Sequence, residues 1–162
     1  MNGMHLAELN LGRLVAPLDD PRVAEFMAAL ARVNGLAERM PGYVWRMTGS
    51  TGFSATDLAP SDDPQKIPNI SVWENVESLE QFVFNTVHRA FYERRAEWFE
   101  ILGKQHFVMW WVPAGHQPTL DEALEKLAQR EAIGDSDDAF GWAYLSGARL
   151  WRNHGCTQVA AE

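Results

Sequence analysis

The stretch NISVWENVESLEQFVFNTVHRAFYERRAEWF, Asn69 to Phe99, decides the architecture. Asn69 to Glu74 reads as a buried strand ending in a turn, and Asn75 is a suitable cap for the helix that follows. In that long helix Leu79, Phe82, Val83, Thr86, Val87 and Ala90 form a buried stripe at three- and four-residue spacing. His88 lies one position off the stripe. Phe84 precedes it by four residues, and Phe91 and Tyr92 follow by three and four, so the imidazole sits on an aromatic flank. Arg89, Glu93, Arg94, Arg95 and Glu97 read as a solvated face.

Working outward, His5 to Val15 carries apolar residues on both parities, as a strand covered on both faces does. Glu8 and Asn10 share a face with Leu6. Asp20-Pro21 starts a helix whose stripe is Val23, Phe26, Met27, Leu30, Val33, Ala37 and Met40, with Asn34 inside it and Gly35 as a point of kink or close approach. Met40-Pro41-Gly42 ends this helix, and Tyr43 to Met47 is a short second strand. A polar connection from Thr48 to Pro68 follows, longer than most connections and so either disordered or a flap over a site. His106 to Pro113 is the last core strand and is apolar on both faces. Thr119 to Glu122 matches a capping box opening a helix that stops at Gly134, and Phe140 to Trp151 reads as an edge strand or arm.

This order places one helix between each outer pair of strands and a hairpin in the centre, the split βαβ arrangement of an α+β, ferredoxin-like fold with a four-stranded antiparallel sheet. Residues 1–134 form the domain, with an extra C-terminal helix, and 135–162 a partly flexible arm. Two helices cover one sheet face. The other apolar face then needs a cover, and a homodimer closing two sheets against each other supplies it.

Composition removes several function classes. The chain has 162 residues, 46% of them hydrophobic, enough for one core but cramped for two domains. A net charge of −8 argues against a nucleic-acid partner. The single cysteine, the lack of a basic and apolar leader pattern in MNGMHLAEL and the shortness of every apolar run point to a cytoplasmic protein with no membrane span. Seven tryptophans exceed what a core requires; Trp45, Trp73, Trp98, Trp110 and Trp111 fall in regular elements, where indoles fill a core or wall a pocket.

The strings HLAELNLGRLVAPLDDP, PGYVWR, NISVWENVESLEQFV, VHRAFYERRAEWFE and HFVMWWVPAGHQPTLDEALEKL, with Asn34 to Ala37, together resemble a bacterial domain-of-unknown-function family. That family lies in the dimeric α/β barrel superfamily, among the antibiotic-biosynthesis-monooxygenase-like proteins. The resemblance spans His5 to about Gly134. It implies a pocket between sheet and helices, and it brings no established reaction. Wider relatives include cofactor-independent quinone-forming monooxygenases, haem-degrading enzymes, isomerases and cyclases. The segment from Asn85 to Phe91 is similar to the stretch of those monooxygenases that carries a histidine midway along the second helix.

Motifs for nucleotide cradling or an elbow serine are missing, and the five histidines lack metal-binding spacing apart from a weak chelate at His154-Gly155-Cys156. No metal is expected, and no cofactor is indicated, haem included. What remains is pocket chemistry with imidazole, amide and indole groups. A cofactor-free oxygenase needs a base, donors for the resulting oxyanion and a dry aromatic cavity. His88 would be the base, Asn10 and Asn34 the donors, and Trp45, Trp73, Phe84, Phe91 and Trp111 the walls, for a small aromatic or polyketide-like compound. Two other readings stay open: a dimeric binder of a hydrophobic ligand or haem without turnover, and a structural module whose tryptophans fill the cavity.

Overall fold

The computed structural model describes residues 3–48, 63, 65–100 and 106–154. Four strands, β1 (Met4–Arg13), β2 (Tyr43–Arg46), β3 (Lys66–Trp73) and β4 (Phe107–Pro113), form an antiparallel sheet in the order β2-β3-β1-β4. With α1 (Ala24–Glu38) between β1 and β2 and α2 (Val76–Asn85) between β3 and β4, this is the ferredoxin-like split βαβ fold read from the pattern. The capping residues act as their chemistry requires: Asp20 accepts from the Arg22 amide ahead of a 3₁₀ turn begun by Pro21, and Asn75 accepts from the Ser78 amide. Strand β3 begins earlier than Asn69 and takes in Pro68. Proline is tolerated there because β2 pairs only with the far end of β3, from Ser71 to Trp73.

The expected single long helix is two. α2 stops at Asn85, Thr86 takes an extended backbone (φ −125°, ψ −174°), and α3 runs from Val87 to Glu93. The Thr86 hydroxyl donates to the Phe82 carbonyl at 2.6 Å and accepts from the His88 amide at 3.2 Å, closing one helix and capping the next. The apolar stripe runs through this break, so periodicity could not reveal it. In α1, no described residue comes closer to a Cβ built at Gly35 than the Arg39 side chain at 3.8 Å, so among the described residues the expected close contact is not there.

Each face of the sheet has its own cover. Leu6, Trp73, Phe107 and Met109 pack under α1 and α2. On the opposite face Ala7, Leu9, Ile70, Val72, Val108, Trp110 and Val112 pack with Ala123 and Leu127 of α4 (Leu120–Ile133). The apolar surface assigned to a twin copy is therefore covered by a helix of the same chain, and the burial argument for closing the sheet with a second subunit falls away. Thr119 caps α4 through the Glu122 amide, but the Glu122 carboxylate turns aside to the Trp110 indole (3.1 Å) and His116 Nε2 (2.8 Å) instead of completing a capping box. Buried Arg130 fastens the other end, donating to the Phe107 carbonyl at 2.6 Å and to Asp135 at 2.8 Å.

As far as it is described, the C-terminal stretch packs against the domain. Phe140 exchanges two backbone hydrogen bonds with Met109 across the free edge of β4, a single bridge rather than a strand. Phe140, Trp142, Ala148 and Trp151 then join the core beneath α2. Glu80 of α2 accepts from the Trp151 amide at 3.0 Å, anchoring α5 (Arg149–His154). Edge β4 is thereby shielded. Most of the long connection after Thr48 and the Gly155-Cys156 part of the weak chelate lie outside the described residues. No described helix is long and apolar enough to cross a membrane.

Gly42 joins α1 to β2 at φ +81°, and a Cβ there would collide with the Ser78 side chain. Gly42→Ala is expected to cost on the order of 2 kcal/mol through left-handed strain and this clash; chemical denaturation against wild type measures it.

Candidate functional site

A cavity of about 500 Å³ lies between the sheet and helices α1 to α3, a size suited to a small organic ligand. Its floor is the helix-facing side of the two central strands, which is polar where a packed core would be apolar. Glu8 stands opposite Ser71, and Asn10 opposite Asn69, in the β1–β3 register. Leu6 and Trp73 close the row. The walls are aromatic: Phe26, Phe82, Phe91, Trp98 and Phe99 among them.

His88 enters from the first turn of α3, placed there by the Thr86 break. Its ring lies 4.8 Å from the Phe82 ring, and Nδ1 is 3.2 Å from the Val83 carbonyl. A carbonyl only accepts, so Nδ1 carries the hydrogen and the neutral ring keeps its lone pair on Nε2. Burial lowers the imidazole pKa to about 4, against the smaller opposing effect of the Val83 hydrogen bond, so the ring is uncharged at neutral pH.

The structure brings Asn10, Asn34 and His88 to one cavity, with Trp73 and Phe91 in its lining. Neither Asn10 nor Asn34 hydrogen-bonds through its side chain to another described residue, which leaves both amides open to a ligand. Three of the expected walls are elsewhere. Trp45 packs on the α4 face, because a bulge between Tyr43 and Trp45 shifts the register: Tyr43 pairs with Trp73 and Trp45 with Val72. Tyr43, not Trp45, reaches the cavity. Phe84 is fully buried on the flank of α2 against Tyr92 and Trp142. Trp111 sits beside Phe140, under the C-terminal stretch.

The residue that sequence reasoning passed over is Glu8, only 6% exposed on the cavity floor. Ser71 Oγ donates to its Oε1 at 2.6 Å, and Trp73 Nε1 donates to Ser71 Oγ at 2.9 Å. Burial raises the carboxyl pKa to about 8, the Ser71 hydrogen bond pulling weakly the other way. A carboxylate on a covered strand face was a visible signal; its serine partner needed the strand register. Among the described residues no group of His, Cys, Asp and Glu side chains is arranged to hold a metal ion.

Fold and site define an α+β, ferredoxin-like protein with an aromatic-walled cavity floored by polar side chains. The chain belongs to the DUF3291 family, a domain of unknown function, whose model matches residues 5–156. No curated protein matches it. Among solved structures it is distantly similar to SnoaB, a cofactor-independent oxygenase from Streptomyces nogalater, at 17% identity over 73% of this chain and 98% of that one, with a TM-score of 0.46. It is also similar to PA3566 from Pseudomonas aeruginosa, at 13% identity over 72% of this chain and 99% of that one, with a TM-score of 0.47.

Proposed function

We propose that the protein is a small-molecule enzyme of the cofactor-independent monooxygenase type, acting on an aromatic or polyketide-like carbonyl compound bound between sheet and helices. The observation that carries this reading is a neutral imidazole lining an aromatic cavity, its Nδ1 held by a backbone carbonyl and its other nitrogen an acceptor. His88 takes a proton from an acidic carbon of the substrate. With a lowered pKa it is a weak base, so the carbanion must be stabilised as it forms. Asn10 and Asn34 supply amide donors to the substrate oxyanion. The carbanion reacts with dioxygen: one oxygen atom becomes a new carbonyl on the former methylene carbon, and the other leaves as water with the two methylene hydrogens. Aromatic walls around His88 limit the water that would reprotonate the carbanion first.

Anthrone-type compounds, with an acidic methylene between two rings, are the substrates to test with an oxygen electrode. Wild type is expected to consume oxygen in proportion to quinone formed. His88→Ala is expected to lower turnover by roughly 100-fold or more while circular dichroism stays unchanged. Unchanged turnover removes His88 from the role. A thermal shift with the same compounds but no oxygen uptake, or a Soret band on adding haem that His88→Ala abolishes, replaces the enzyme with a binder.

A further inference from the structure

The mechanism above leaves unused the most deeply buried ionisable group on the cavity floor. Resting on the reading of this cavity as a small-molecule site, we propose that Glu8 is a ligand-contacting acid. Its free carboxyl oxygen carries a proton and donates a hydrogen bond to a carbonyl oxygen of an uncharged aromatic ligand, while Ser71 and Trp73 are positioning residues.

The direction of the hydrogen-bond chain sets the proton's place. An indole N–H only donates, so the Ser71 hydroxyl accepts from Trp73 and directs its own hydrogen to Glu8 Oε1. Oε1 is thus the accepting oxygen, and the carboxyl proton belongs on Oε2. That oxygen has no partner among the described residues and is not sealed in the protein, while its residue lines the cavity. Among the described residues no cation pairs with Glu8: Arg46 pairs with Glu38 at 2.8 Å, and Arg95 donates to the Tyr92 carbonyl with its guanidinium 4.1 Å from the Tyr92 ring. The other ionisable groups of the lining, Tyr43 of β2, His88, Tyr92 and Glu93 of α3, Glu100 and His106, form no ion pair with it. A carboxylate ligand would bring an uncompensated charge onto this floor, whereas a ketone or quinone oxygen meets a ready donor.

Acetylnaphthalene, naphthoate and naphthalene share one ring system and differ only in the acceptor. Their dissociation constants, from quenching of tryptophan fluorescence, test the assignment. Wild type is expected to hold the ketone about tenfold more tightly than naphthoate or naphthalene at about pH 6. It is expected to lose that preference by about pH 10, when the carboxyl has ionised and can no longer donate. Glu8→Gln, still a donor, should keep the preference at both pH values, and Glu8→Leu should lack it at both. Ser71→Ala should move the midpoint of the pH-dependent loss upward, because the Ser71 bond favours the ionised form, with Ser71→Thr restoring it. Ketone affinity independent of pH, or equal in wild type and Glu8→Leu, overturns the role of Glu8 even where naphthalene binds. Binding of none of the three overturns the small-molecule reading and this assignment with it. Binding with the expected preference but no oxygen uptake leaves Glu8 in place and removes only the oxygenase.

Discussion

Glu8→Gln is expected to reshape the pH dependence of stability more than any other single substitution in the cavity. The carboxyl pKa is raised from 4.5 to about 8 on folding. The stability it contributes is fully present below pH 4.5 and is lost as pH rises through 8, because the native state retains a proton that the unfolded chain has released. His88 acts in the opposite sense. Its pKa falls from 6.5 to about 4, so its contribution is present above pH 6.5 and lost as pH falls through 4. Each slope is about 1.4 kcal/mol per pH unit. Between pH 4.5 and 6.5 the two nearly cancel, and from 6.5 to 8 only the loss from Glu8 remains. Wild type should therefore be flat and then fall, whereas Glu8→Gln should rise to pH 6.5 and stay level. Urea denaturation across this range separates the curves, with a gap of several kcal/mol by pH 8. Parallel curves would mean that Glu8 is ionised in the native protein.

Ala123→Asp is expected to destabilise the chain by about 3 kcal/mol or more, by placing a carboxylate in an apolar layer that offers it no partner. Ala123 is wholly buried between α4 and the sheet. Displacing α4 would uncover Ala7, Leu9, Val72, Val108, Trp110 and Val112 together, an apolar face that water does not tolerate. Sedimentation should then show self-association beyond that of wild type, alongside a lower denaturation midpoint. A variant as stable as wild type would show that α4 is not what shields that face.

How far the site could be read in advance differs residue by residue. His88 was visible because an imidazole between Phe84, Phe91 and Tyr92 breaks the apolar logic of its helix. Asn10 was visible as a polar residue on a covered strand. Trp45 failed for a local reason: the bulge after Tyr43 reverses the side on which the next residues project, and period-two counting cannot detect an extra residue. Phe84 and Trp111 failed for a distant one, since the C-terminal stretch packs against both.

The order of strands and main helices, the helix caps at Asp20 and Asn75 and the split βαβ plan follow from the sequence alone, because they depend on neighbours within about four residues and on period. Three things were decided only in the folded chain. Helix α4 packs over the far face, Thr86 divides the long helix beneath His88, and the register of β1 against β3 sets Glu8 beside Ser71. Each depends on contacts between residues far apart in the chain or on a choice between competing hydrogen bonds. Local pattern leaves both undetermined.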